Sequence, residues 1–199
     1  KLLKPFGGKE LYEISEIRDF FGFEKIPVLD ADISGLIDKD KFNLVLHPKS
    51  KGSAREWGMV NFCKLMEILP EEKFKIFITG SIEETGSIRP ELRKFSHVVD
   101  LIGKMDLEQL IAFLSNTDGI VACSTGPLHI SAVLGKFAIG LFAPMHPIHP
   151  DRWAPVGKNA TFIVQDKECS RCRKDKKCEC IESISPEEVK KKLMKITAP

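Results

Sequence analysis

The sequence has no run of eighteen apolar residues, so no segment of it is written to cross a bilayer as a helix. It has almost no excess charge: 30 Lys and Arg against 28 Asp and Glu leave a formal +2. That balance makes no demand for nucleic acid or an anionic surface as partner. It lacks a G-x-x-x-x-G-K-[ST] loop and a G-x-G-x-x-G turn, which argues against a P-loop NTPase and an ordinary dinucleotide dehydrogenase. The opening residues lack the basic-then-apolar pattern of a secretion leader, so a cytoplasmic setting is expected. The first residue is Lys1 rather than Met, which points to a fragment. At 199 residues the chain is long enough for one good core and too short for two full-sized domains.

What is present is alternation. Short apolar runs over 43–47, 73–80, 97–101, 119–123 and 136–143 read as buried strands, with a sixth expected over 160–164. Between them lie helical patterns over 56–69, 82–95 (broken by Gly86 and Pro90), 106–116 and a stretch starting near Pro127. Leu107, Leu110, Ile111 and Leu114 make one apolar face, and Asp106 with Gln109 predicts a capping box. Strand and helix in strict turn imply right-handed crossovers and an α/β, Rossmann-like parallel sheet covered on both faces. A last helix over 185–196 has Ser185 as N-cap, Pro186 in its first turn and Glu188 three residues after the cap. Residues 1–42 fit no complete βα unit. They are expected to be the tail of an N-terminal domain, with an amphipathic helix over 11–23, plus a connector. Residues 43–199 are the expected Rossmann-like domain.

In such a sheet ligands bind beyond the carboxyl ends of the strands, and two loops there are chemically loaded. "HPKSKGSAREW" offers the Ser50 and Ser53 hydroxyls, the backbone of Gly52, and the cations Lys49, Lys51 and Arg55. "STGPLH" offers Ser124, Thr125 as helix cap, Gly126 without side-chain bulk, Pro127 in a first-turn slot and His129. Free N–H groups and a positive dipole end then face the crevice. A diphosphate suits both loops at once. Singly, a Thr-Gly-Pro turn is ordinary capping, His129 a packed or solvated histidine, and Arg55 a surface charge; the signal is their combination.

The blocks "GSAREW", "GKMDLEQLIAFLSNTDGIVACSTGPLHISAVLGKFAIGLFAP" and "CIESISPEEVKKKL" resemble the C-terminal half of the heptosyltransferase family, glycosyltransferase family 9, over about residues 43–196. The resemblance implies one half of a GT-B arrangement, in which two Rossmann-like domains enclose the active site. It also implies an inverting transfer of a sugar from an ADP-linked donor to the lipopolysaccharide core, with no required metal or cofactor. On it, Ser50 and Arg55 hold the diphosphate, with Lys49 and Lys51 as alternates, and Glu83 or Glu84 accepts from the ribose. Met105 lies against the adenine, and Ser124, Thr125, Gly126, Pro127 and His129 surround the pyrophosphate and the sugar. Arg55 and His129 are the implied catalytic residues. The general base belongs to an N-terminal domain, the acceptor is a lipid-linked oligosaccharide, and the enzyme works in the cytoplasm, peripheral to the inner membrane. Ser124 stands where the family commonly has Asp, which leaves open a non-catalytic nucleotide-binding module.

Two other features carry metal-like patterns. "LDADIS" holds an Asp-x-Asp, but in the connector rather than after a strand of the sheet. Cys169, Cys172, Cys178 and Cys180 crowd one loop over 169–180, as thiols, a structural zinc site or disulfides. Cys63 and Cys123 fall in periodic segments and are expected to be buried thiols.

Overall fold

The structure is a computed structural model, and it describes residues 26–165 and 178–197. The strands are β1 (Phe42–His47), β2 (Phe74–Ile78), β3 (Val98–Asp100), β4 (Gly119–Cys123), β5 (Phe137–Phe142) and β6 (Ala160–Val164). They form one sheet in the order β3-β2-β1-β4-β5-β6, and every neighbouring pair is parallel. The chain builds outward from β1 through β2 to β3, then returns to lay β4 against β1. The β1/β4 seam is therefore the point where strand order reverses, and crossovers on its two sides diverge to leave a crevice. The helices are α1 (Ala31–Ser34), α2 (Met59–Ile68), α3 (Thr85–Leu92), α4 (Leu107–Asn116), α5 (Gly126–Val133), α6 (Pro150–Trp153), α7 (Glu179–Glu182) and α8 (Pro186–Ile196).

Alternation along each strand divides the core between the two faces of the sheet. Leu44, Leu46, Ile76, Ile78, Val121 and Ile139 point to one side, under α2 and α8. Val45, Phe77, Ile120, Ala122 and Ala138 point to the other, under Phe113, Leu114 and Leu128 of α4 and α5. All five residues of β4 are buried, as a central strand covered on both faces requires. Cys63 and Cys123 are buried thiols, and complete burial pushes Cys123 up to about 12.

Several elements depart from the sequence expectation for local reasons. Helix α2 begins three residues later than expected because Gly58, at φ 89°, holds the chain outside helical space until Met59. The broken 82–95 segment is one 3₁₀ turn, Ile82–Glu84, followed by α3. Asp106 caps α4 through the Gln109 amide at 2.8 Å, but the Gln109 side chain does not close a box. It takes the Asp30 N–H at 3.0 Å and donates to the Val28 carbonyl at 3.2 Å. This fastens residues 26–37, whose Ile26, Leu29, Ile33 and Ile37 also pack on the second core cluster. Backbone groups there have no strand to pair with, so a side-chain amide serves them. The expected helix over 11–23 lies outside the described residues.

Helix α8 starts as expected, with the Glu188 amide on the Ser185 hydroxyl at 3.1 Å, and packs back on α2. The Trp57 indole donates to the Ile184 carbonyl at 2.8 Å, tying that return to the loop after β1. Cys178 is buried in the same core cluster, whereas Cys169 and Cys172 lie outside the described residues.

Candidate functional site

The carboxyl ends of β1, β2 and β4 meet at the crevice. β1 ends in His47, whose Nδ1 lies 2.9 Å from the Thr79 hydroxyl just past β2. Burial pushes this imidazole down to about 4, against a smaller opposing pull from Glu84. It is neutral at physiological pH.

The loop after β1 is self-satisfied. Lys51 and Gly52 adopt φ 49° and 83°, a left-handed pair that reverses the chain tightly, and Gly52 is the residue type for which this costs least. Glu56 sits at the loop's centre. It accepts from the Ser50 amide at 3.1 Å, the Ser50 hydroxyl at 3.2 Å and Lys49 Nζ at 2.9 Å. The single Ser50 hydroxyl proton is shared between Glu56 and the Ala54 carbonyl, 3.0 Å away, and Ser53 Oγ donates to the Ser50 carbonyl at 2.7 Å. Lys51, at the exposed tip, pairs with Glu83 across the crevice rim at 3.2 Å.

The loop after β4 is not. Thr125 occupies the cap position of α5, yet its hydroxyl makes no capping bond, and Thr125 Oγ1 is buried without a hydrogen-bond partner. An unmade bond at a buried hydroxyl costs roughly 1–3 kcal/mol, so the position is expensive unless something else completes it. A Cβ on Gly126 would meet nothing within 4 Å, so glycine is not required there by packing inside the chain. His129, one turn into α5, is held below its usual pKa by burial.

Two cavities open at this rim and share Ser53, Thr125 and Gly126. The first, about 330 Å³, has a polar side of His47, Lys49, Ser50, Lys51, Thr79 and Glu84. Its apolar side is Leu101, Met105, Leu107 and Leu110, and Pro127 completes the rim. The second, about 390 Å³, lies beyond Thr125, against Ser124, His129, Pro147, Ile148, Arg152 and Trp153. Trp153 is 44% exposed, and the Arg152 guanidinium stands 5.4 Å from its ring centroid.

Lys49, Ser50, Lys51, Glu84, Met105, Thr125, Gly126 and Pro127 thus come together in the first cavity, and Ser124 and His129 in the second. Arg55 and Glu83 line neither; Arg55 Nε is buried, and Glu83 stands at the rim on Lys51. The Glu84 carboxylate takes the Ser81 amide at 2.8 Å through Oε2, leaving Oε1 for another donor. Ser50, expected to offer its hydroxyl outward, gives it to the loop instead. Among the described residues, sequence reasoning passed over His47, Thr79, Arg152 and Trp153. A polar residue closing an otherwise apolar strand was the available signal for His47; the other three carried none. The Asp-x-Asp of the connector, Asp30 and Asp32, lies at the start of α1 and lines neither cavity, and the Asp30 amide is engaged with α4.

A doubly covered parallel sheet in Rossmann order, with a polar, helix-ended crevice at its switch point, defines a Rossmann-like α/β domain, and the switch point is where such sheets bind ligands. The chain belongs to glycosyltransferase family 9 (heptosyltransferase), whose description fits residues 15–181. It is 32% identical over 117 residues to lipooligosaccharide heptosyltransferase 2 of Haemophilus ducreyi, covering 56% of this chain and 33% of that protein. It is 28% identical over 159 residues to the Haemophilus influenzae protein of the same name, covering 74% of this chain and 44% of that one. Among solved structures, E. coli ADP-heptose LPS heptosyltransferase II superposes with a TM-score of 0.68 at 17% identity, covering 94% of this chain and 52% of that one. E. coli heptosyltransferase WaaC with ADP gives a TM-score of 0.67 at 17% identity, covering 94% and 51%. These likenesses show the shared fold, that of GT-B heptosyltransferases. The chain spans about half the length of the relatives it matches, or less. No described helix is long and apolar enough to cross a membrane.

Proposed function

We propose that this chain is the donor-binding half of an inverting heptosyltransferase that moves a sugar from an ADP-linked donor to a lipopolysaccharide core acceptor. The observation that carries the reading is the buried Thr125 hydroxyl without a partner, on the wall the two cavities share and beside the amino end of α5. A diphosphate straddling that wall would accept from Thr125 and from the first N–H groups of α5. Open space above Gly126 would let it approach the backbone. The nucleoside would then extend into the first cavity, base against Met105 and Leu110 and ribose toward Glu84. The sugar would occupy the second, between Ser124, His129 and the Trp153 face. Relatives' names agree with this chemistry, since one solved neighbour carries ADP and another ADP-2-deoxy-2-fluoro heptose.

The proposed reaction needs three things from these residues. As the C1–O bond lengthens, negative charge grows on the diphosphate, and donors already aimed at it lower the barrier without reorganising. Lys49 and Lys51 are the cations of the first cavity and take the part first assigned to Arg55. His129, kept neutral by desolvation, would donate one ring N–H to the leaving oxygens rather than a full charge. The base that deprotonates the acceptor hydroxyl comes, on this reading, from an N-terminal domain across the crevice. The acceptor is lipid-linked, so the enzyme would act at the cytoplasmic face of the inner membrane.

A second reading, a nucleotide-binding module without transfer, draws on Ser124 in place of a charged sugar contact. A thermal-shift panel of ADP, UDP, GDP and ADP-heptose tests the shared part, since ligand at a hundred times its Kd stabilises by about 2.7 kcal/mol. Selective stabilisation by ADP and ADP-heptose is expected, and indifference to all of them removes both readings. A transfer assay on the full-length protein separates them: stabilisation by ADP without transfer or hydrolysis of ADP-heptose leaves the module.

A further inference from the structure

The segment between β5 and α6, together with the first turn of α6, carries a cluster that the donor reading does not use. One ring nitrogen each of His146 and His149 and one carboxylate oxygen of Asp151 lie within 4.8 Å of one another. His149 Nδ1 and Asp151 Oδ2 are 3.1 Å apart. Two ligand atoms held at about 2.0–2.2 Å from a common ion stand roughly 3–3.5 Å apart, so this pair already has the spacing of one edge of a coordination sphere. The His146 ring stacks on His149 with centroids 4.9 Å apart and 29° between planes, which brings the third donor alongside. His146 is exposed, so its ring can turn toward the same point without disturbing the core.

The same atoms also take part in local hydrogen bonding. His149 Nδ1 faces the Asp151 amide at 3.2 Å, which wants a lone pair, and the Asp151 carboxylate, which wants a proton. One nitrogen serves one of these at a time. A cation between imidazole and carboxylate would take electron pairs from both, and the amide of the exposed Asp151 would turn to solvent instead. The one cation in α6, Arg152, is engaged over the Trp153 ring. We propose that His146, His149 and Asp151 bind one divalent transition-metal ion of the zinc class. Two imidazoles and a carboxylate select such an ion over magnesium or calcium, whose sites are built from oxygen. The ion would clip the strand of chain that supplies Pro147 and Ile148 to the wall of the second cavity. It is assigned no step in sugar transfer, and the proposal stands without the donor reading.

Cobalt(II) reports on both occupancy and ligand type, which matters because the cysteines over 169–180 could compete for the same metal. Titration of the full chain with cobalt(II) at neutral pH is expected to give visible ligand-field bands without a near-ultraviolet thiolate band for this site. Zinc should displace them and magnesium should not. His146→Ala and Asp151→Asn, both exposed positions, should each weaken that uptake at least tenfold while the metal-free melting temperature stays put. Zinc should then raise the melting temperature of the parent protein more than that of either variant. Identical visible spectra and affinities in the parent and in His146→Ala, or a thiolate band as the only signal, would overturn the proposal.

Discussion

The two loops at the crevice face the same space from adjacent strands, yet they are finished to different degrees. After β1, one carboxylate, Glu56, collects the Ser50 amide, the Ser50 hydroxyl and the Lys49 ammonium, so the loop's shape is fixed before any ligand arrives. After β4, Thr125 Oγ1 is buried with nothing to bond, and the space over Gly126 is empty. Ser81, Thr85 and Ser131 also bury hydroxyls without a partner, but of the four only Thr125 lines both cavities. On the proposed donor reading, the first loop would hold cations in position and the second would make direct contact. Rigidity and incompleteness are divided between neighbours rather than mixed in one loop.

That contrast can be tested by perturbation, and acid should act most strongly. His47 at the end of β1 has its pKa pushed from 6.5 down to about 4 by burial. Between those values the unfolded chain binds a proton there and the folded chain does not. Stability is therefore complete above about pH 6.5, falls as pH drops toward 4 and loses up to about 3 kcal/mol. Urea melts across that range should show the slope, and His47→Gln should flatten it; a slope that survives in His47→Gln and disappears in His129→Gln would move the strain to the second loop. Next in size, Glu56→Ala should cost about 1–3 kcal/mol of stability, because the amide of buried Ser50 loses its acceptor while the hydroxyl keeps only the Ala54 carbonyl. Thr125→Val should do the reverse. Its melting temperature should hold or rise, while ADP affinity measured by calorimetry falls about tenfold or more, the value of a hydrogen bond to a charged group. Equal losses of stability in Glu56→Ala and Thr125→Val would erase the distinction between the loops. Smallest of all, Glu83→Gln at the rim should leave the melting temperature unchanged, since its partner Lys51 is as exposed as it is and the pair is screened.

Much of the scaffold was readable from residue order. The run "GIVAC" matches β4 end for end, because a strand buried on both faces must be continuously apolar and local turns bound it, and "ATFIV" matches the part-buried edge strand β6. Asp106 and Ser185 cap their helices as their side chains suggest, since a cap is satisfied within three residues. The two crevice loops were found the same way, by lying after strands of an alternating pattern. What those loops do internally was not readable. Thr125 looks like an ordinary cap and is not one, and Ser50 looks outward-facing and is turned onto Glu56. Gln109 looks like half of a capping box and instead holds residues 28–30, some eighty positions away in the chain.

The sequence by itself determined the parallel α/β sheet, the capped starts of α4 and α8 and the identity of the polar groups at its rim, since these follow from period, burial and bonds spanning a few residues. Only the tertiary structure decided which of those groups are spent on one another and which are left over. That depends on distances between strands β1, β2 and β4, brought side by side by a reversal in strand order that no local segment encodes. The joining of Ser53 with Thr125 on one wall, and of Trp153 with His129 across one cavity, exists only there.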